Sequence, residues 1–177
     1  MKKLMLFLIT SYLLSGCLQE DLPDVIEVTT VEQTYEELSK AEQTPLSEAL
    51  EKVSFVPKKI NEETLPFTVK KRIGKVMETE ENSEMIHLGY GGFNHRIDLI
   101  VENTVETKKE PSLDYKEILL DNGRTALYAE DENTHYVTWF EKRINYLLVL
   151  HYKTGTGETP ERYTKEEVIK IVNELEE

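Results

Sequence analysis

The sequence predicts an α+β domain: an antiparallel sheet of about six or seven strands, with an N-terminal and a C-terminal helix packed on one face. Three observations predict it. Short apolar-alternating runs recur between residues 66 and 152, separated by polar turns. Helical spacing of apolar residues is confined to two places, one before those runs and one after them. No period of 20–50 residues repeats, so a solenoid or propeller is excluded.

The first helix is read in "TPLSEALEKVSFVP". Leu46, Ala49, Leu50 and Val53 form one apolar stripe, Thr44 is placed to cap, Pro45 suits the first helical position, and Pro57 ends the segment. Strands follow in "PFTVKKRIGKVME" (66–78), "EMIHLGY" (84–90) and "HRIDLIVEN" (95–103), where Ile97, Leu99 and Val101 share a face. "YKEILL" and "TALYAE" flank Asp121-Asn122-Gly123, a hairpin signal because Asn and Gly tolerate positive φ. "HYVTWFE" and "NYLLVLHY" make a second hairpin around Lys142-Arg143. The closing segment "TKEEVIKIVNELEE" opens with a capping box, Thr164 and Glu167, and buries Val168, Ile169, Ile171, Val172 and Leu175. A sheet of this size with two helices can build its core without disulfides.

Ahead of the domain lies a different kind of sequence. Lys2 and Lys3 precede the apolar run "LMLFLITSYLL". As a helix this run spans only ~17 Å, too short for a ~30 Å hydrocarbon slab, and matches the layout of a secretory signal instead. It ends Leu14-Ser15-Gly16-Cys17, and Cys17 is the only cysteine of the chain. A lone cysteine has no disulfide partner. These four residues resemble the lipobox of bacterial lipoproteins. The resemblance implies cleavage between Gly16 and Cys17 and a diacylglyceryl group on the Cys17 sulfur. Two acyl chains on one sulfur hold a bilayer stably where one chain does so marginally. Residues 1–16 are thus expected to be a signal peptide, and the mature chain to be tied to the extracytoplasmic face of a cell membrane.

The formal charge of −13 becomes about −15 once Lys2 and Lys3 leave with the signal. Such a chain repels phosphate backbones, so no nucleic acid is expected as partner. Residues 17–45 read as an acidic tether: 18–45 contain eight acids and only Lys40 as a base, with a coil reach of ~30 Å. Residues 46–177 are then the folded domain, expected to be a monomer.

The order of segments in that domain resembles the DUF4367-type domain of Gram-positive lipoproteins. The resemblance rests on "LSEALEKVSF" leading to "LPF", on "HRIDLIVEN", "NGRTALYAED" and "YVTWFE" followed by "NYLLVLHY", and on "TKEEVIKIVNEL". It implies an α+β fold and brings no established catalytic residue. The same family occurs in the extracytoplasmic part of anti-sigma-like membrane proteins.

Chemistry-bearing motifs are sparse. The four histidines, His87, His95, His135 and His151, form neither HxxxH nor HExxH, and zinc spacing is absent. His87, His95 and Asp98 converge if their two strands pair as a hairpin; otherwise they are solvent-facing strand residues. "GYGGF" (89–93) reads as a flexible turn, or as a mobile binding loop displaying Tyr90 and Phe93. No GxSxG elbow occurs, and "AEDEN" (129–133) lacks the EF-hand spacing. Trp139 shares a face with Val137, while Tyr136, Thr138 and Phe140 share the other. The exposed set would be an aromatic binding patch, with Trp139 itself read as core. "YKTGTGETPERY" (152–163) is a polar connection that could edge a binding surface. No metal and no cofactor are expected.

The functional expectation is a non-enzymatic, lipid-anchored module that binds a protein or envelope component. Its candidate surface is Tyr90, Phe93, Tyr136, Trp139 and Phe140, and its partners are the bilayer through acylated Cys17 and a ligand of unknown identity. The alternatives are a carboxylate-based envelope enzyme and a sensor domain for a membrane regulator.

Overall fold

The computed structural model describes residues 44–78, 83–104, 112–152 and 163–177. Gly16 and Cys17, the tether up to Gln43 and the connection 153–162 lie outside the described residues. The elements run α1 (Leu46–Leu50), a 3₁₀ turn (Glu62–Thr64), β1 (Lys71–Glu78), β2 (Glu84–Gly91), β3 (His95–Glu102), β4 (Lys116–Leu119), β5 (Thr125–Glu130), β6 (Thr134–Glu141), β7 (Ile144–Tyr152) and α2 (Lys165–Asn173). The seven strands form one antiparallel sheet in the order β1-β2-β3-β7-β6-β5-β4. Two meanders, β1–β3 and β4–β7, therefore meet where β3 pairs with β7.

Alternation sends Ile86, Leu88, Ile97, Leu99, Val101, Val137, Trp139, Leu148 and Leu150 to one side, where they pack with Ala49 of α1 and with Val168, Ile171 and Val172 of α2. Trp139 and Tyr146, opposite each other on β6 and β7, stack with centroids 5.0 Å apart. Such a pair contributes ~0.5–1.5 kcal/mol beyond its buried area. The helix ends agree with local chemistry. Thr164 accepts from the Glu167 N–H while Glu167 accepts from the Thr164 N–H, a reciprocal cap for α2.

The central strands are closed to solvent on their other side too. Met85, Ile100, Leu147 and Val149 form a second buried cluster there, accompanied by His87, Asp98, Thr138 and Asn145. The expectation of solvent-facing polar residues on "EMIHLGY" and "HRIDLIVEN" is thus corrected: both faces of the central strands are buried. Among the described residues, no helix is long and apolar enough to cross a membrane.

Three local expectations are also corrected. Thr44 does not cap α1; its N–H and C=O both pair with Gly74 of β1, and Pro45 occupies the cap position without a side-chain bond. The first strand begins at Lys71, not Pro66, because the chain first makes the 3₁₀ turn capped by Asn61, whose side chain accepts from the Glu63 N–H. Gly89 to Gly91 are not a loop but the end of β2.

α1 lies so close to β1 that a Cβ on Gly74 would sit 2.2 Å from that of Ala49. The hairpin β6–β7 turns through Lys142 and Arg143, both with positive φ. That is the backbone of a tight primed turn, held here by residues that ordinarily avoid it.

Candidate functional site

Strand register builds a polar row at one end of the second face. Gly91 of β2 lies opposite Arg96 of β3, Arg96 opposite His151 of β7, and His151 opposite Thr134 of β6. One row further in, Gly89 faces Asp98. A side chain at Gly89 would meet Ile73 at 2.7 Å and the Asp98 carboxylate at 3.3 Å. The missing side chain leaves room for Asp98 to be reached from three sides.

His87 Nε2 contacts Asp98 Oδ1. Arg96 grips the same carboxylate side-on, with Nε 2.6 Å from Oδ2 and Nη2 2.9 Å from Oδ1. His151 Nε2 lies 3.9 Å from Oδ2. Burial opposes ionisation of Asp98, but the His87 bond and the Arg96 charge outweigh it and hold the carboxyl below the ordinary aspartate range. Burial likewise depresses Lys75, which faces His87 from β1, with Arg96 adding to the effect. His151 is kept below the ordinary histidine range by burial, with Asp98 acting against it.

The outer row opens into a cleft of about 450 Å³, within the range of small-molecule sites. One wall is the β2–β3 hairpin from Gly91 to Arg96; the other comprises Asn133, Thr134, His151 and Tyr152. The hairpin is closed by the Gly92 N–H donating to the His95 carbonyl, which leaves Phe93 at its tip, 83% exposed. Lys70 Nζ stands 5.5 Å from the centre of that ring. Behind the cleft, Phe67 stacks on His95, and the Tyr163 hydroxyl meets His95 Nδ1 at 2.7 Å. In a chain with 34 acids, no lining residue of this cleft is acidic. It is a polar, histidine- and arginine-bearing recess inside an acidic molecule.

Thr134, His151 and Asp98 stand in the order of a hydroxyl–imidazole–carboxylate relay. Thr134 Oγ1 lies 3.2 Å from His151 Nδ1. The 3.9 Å step to Asp98 exceeds hydrogen-bond reach, and that carboxylate is already held by His87 and Arg96. The arrangement binds charge better than it moves a proton.

Of the surface residues read from the sequence, Phe93 is exposed at the cleft rim. Tyr136 and Phe140 are half-buried on the second face, and Tyr136 donates to Asp131. Tyr90 and Trp139 are corrected as surface candidates: they are 2% and 3% exposed, because both point into the helix side of the sheet. Burial lifts the Tyr90 hydroxyl to about 12. The hairpin of His87 and Asp98 forms as read, but His95 alternates to the opposite face, and His151 takes the third place. Neither Arg96 nor the approach of His151 to Asp98 was read from the sequence, since both depend on the β3–β7 register. Among the described residues, no three His, Cys, Asp or Glu side chains are arranged to hold a metal ion. The acids of "AEDEN" serve the β5–β6 turn, where Asp131 accepts from the Asn133 N–H.

No family model matches the chain, and neither the curated proteins nor the solved structures yield a match to it.

Proposed function

We propose that this chain is a lipid-anchored, extracytoplasmic binding module that takes a small ligand carrying an anionic group in the cleft between the β2–β3 hairpin and the β6–β7 strand ends. The observation that carries the ligand reading is the acid-free lining of that cleft, with Phe93 exposed on its rim, in a chain of net charge −13. An anion entering elsewhere meets repulsion; here it meets Arg96 beside the His151 ring. The anchor reading rests on Leu14-Ser15-Gly16-Cys17. Kinship with the DUF4367-type domain belongs to the same proposal and rests on the segment order alone. Binding is favoured over catalysis because Asp98, the carboxylate behind Arg96 and His151, is committed to His87 and Arg96.

Two measurements test the two halves separately. Mass spectrometry of the native N-terminal peptide should find a diacylated Cys17, absent in Cys17→Ser; an unmodified thiol in the native protein overturns the anchor. Calorimetry with soluble peptidoglycan fragments bearing free carboxylates should show binding that Phe93→Ala weakens about tenfold. Equal affinity of the variant, or no heat with any carboxylated fragment, overturns the cleft reading.

A further inference from the structure

Both helices pack on one face of the sheet, yet the central strands are buried on the other face as well. There Met85, Ile100, Leu147 and Val149 are at most 2% exposed. Among the described residues, the partly buried apolar side chains packed on this cluster are Met77 and Tyr136, and both belong to the sheet itself. A sheet does not bury its own face; the apolar side of a second layer has to lie across it.

The chain outside the described residues offers one source for that layer. Segments 79–82, 105–111 and 153–162 together bring a single apolar side chain, proline aside, which is Val105. The run 4–14 is expected to leave with the signal. Residues 18–43 remain, and they contain a stripe: Val31, Tyr35 and Leu38 stand at i, i+4 and i+7. Thr30 and Gln33 have the spacing of a capping box just ahead of it. At about 3.6 residues per turn, Gln33, Glu36 and Lys40 fall on the side opposite the stripe.

The place where this segment ends suits the same face. Thr44 pairs with Gly74 of β1 through both its N–H and its C=O, so the segment reaches the sheet at the β1 edge. On the first face that position is taken by α1, where Gly74 meets Ala49. The second face is left for the residues before Thr44. The buried cluster lies on β2, β3 and β7, the next three strands in from β1, and so ~5 to ~14 Å from that edge. A helix over 31–41 is ~16 Å long and spans that width. Charge agrees as well. Lys75, 5% exposed, shares a row with His87, Ile100 and Leu147. Residues 31–43 carry Glu32, Glu36, Glu37 and Glu42 against Lys40, which falls on the outer side.

We propose that residues 31–41 form an amphipathic helix that docks across the second face of the sheet, with Leu38 over Met85 at the β1 side and Val31 over Leu147 and Val149 on β7. The occupant of this face is thus a segment of the chain itself, and the domain begins near Thr30. Docking does not depend on what the cleft binds. Where Cys17 is the anchor proposed above, the free leash shortens to residues 18–30, a coil reach of ~20 Å.

The test is methyl NMR on the full chain in detergent micelles, labelled at Met, Ile, Leu and Val. Cross-relaxation is expected between Leu38 and Met85 and between Val31 and Leu147 or Val149. The absence of these contacts overturns the docking. So does finding them from residues 4–14 instead, or, in a sample mixing labelled and unlabelled protein, from a second copy. Chemical denaturation of the same chain gives an independent reading. Leu38→Asp should lower the folding constant about ten- to a hundredfold, while Gln33→Asp, on the outer side, should leave it within about twofold. A native midpoint in Leu38→Asp, or an equal loss in both variants, overturns the docked stripe.

Discussion

Glu141 shows how single residues carry this fold. It is nearly buried at the end of β6, yet Lys58 Nζ lies 2.8 Å from its carboxylate and Arg124 contacts the same oxygen. Burial resists its ionisation, but bonds from Arg124 and Lys58 prevail and hold it below the ordinary glutamate range. Glu141→Gln leaves two cations facing a neutral amide, and should cost about 1–2 kcal/mol in chemical denaturation. Gly74 is a second such position. A methyl group there collides with Ala49 of α1, so Gly74→Ala should shift the denaturation midpoint downward by the equivalent of about 1–3 kcal/mol. An unchanged midpoint would mean that α1 is not seated on β1. Neither residue was legible in the sequence. Glu141 is one of 34 acids and Gly74 one residue of an apolar-alternating run, and nothing local marks either, because the partner of each lies far along the chain.

Elements were more legible than residues, for a reason visible in particular strands. "HRIDLIVEN" alternates, so its period alone places Ile97, Leu99 and Val101 together, and β3 runs His95–Glu102 accordingly. The turn at Asp121-Asn122-Gly123 was readable because Gly123 takes a φ of +80° that other residues avoid. α1 was misjudged because the backbone of Thr44 has a stronger claim on it, two bonds of 2.9 Å to Gly74, than a capping role. Alternation also says nothing about what lies over each face, so Asp98 was read as solvent-facing although it is fully buried. The β6–β7 turn adds a prediction at this scale. Lys142 and Arg143 hold positive φ without the residues that favour it, so the double change Lys142→Asn, Arg143→Gly should stabilise the protein by about 1 kcal/mol. Thermal denaturation reads this directly; a lowered midpoint would show that the lysine and arginine side chains contribute more than the backbone strain costs.

The whole molecule responds to acid in two windows. His135 and His151 have folded pKa values below their unfolded ones. The unfolded chain therefore binds protons first as the pH falls from about 6.5, and stability declines from there. Asp98 and Glu141 are also depressed. Their contribution is complete above the unfolded carboxyl range, about pH 4, and is lost as the pH drops through their folded values. Denaturant midpoints should be level from pH 8 to pH 7, fall gently toward pH 5 and steeply below pH 4. A midpoint that rises on acidification from pH 7 to pH 5 would contradict the assigned directions.

The seam between the two meanders has a kinetic consequence. His95 is paired with Tyr152, so the two banks of the recess are made far apart in time as the polypeptide emerges. Closing so long a loop is entropically slow, and topologies dominated by distant pairings fold in milliseconds to seconds. A chain interrupted before Ile144 lacks the strand that joins the two meanders, so its pocket stays incomplete: His151 and Tyr152, and the docking of Asn133 and Thr134 beside the β2–β3 hairpin, arrive with the last strand. If the cleft is the binding site proposed for it, recognition is therefore a late event of maturation, and a product truncated before β7 should not bind.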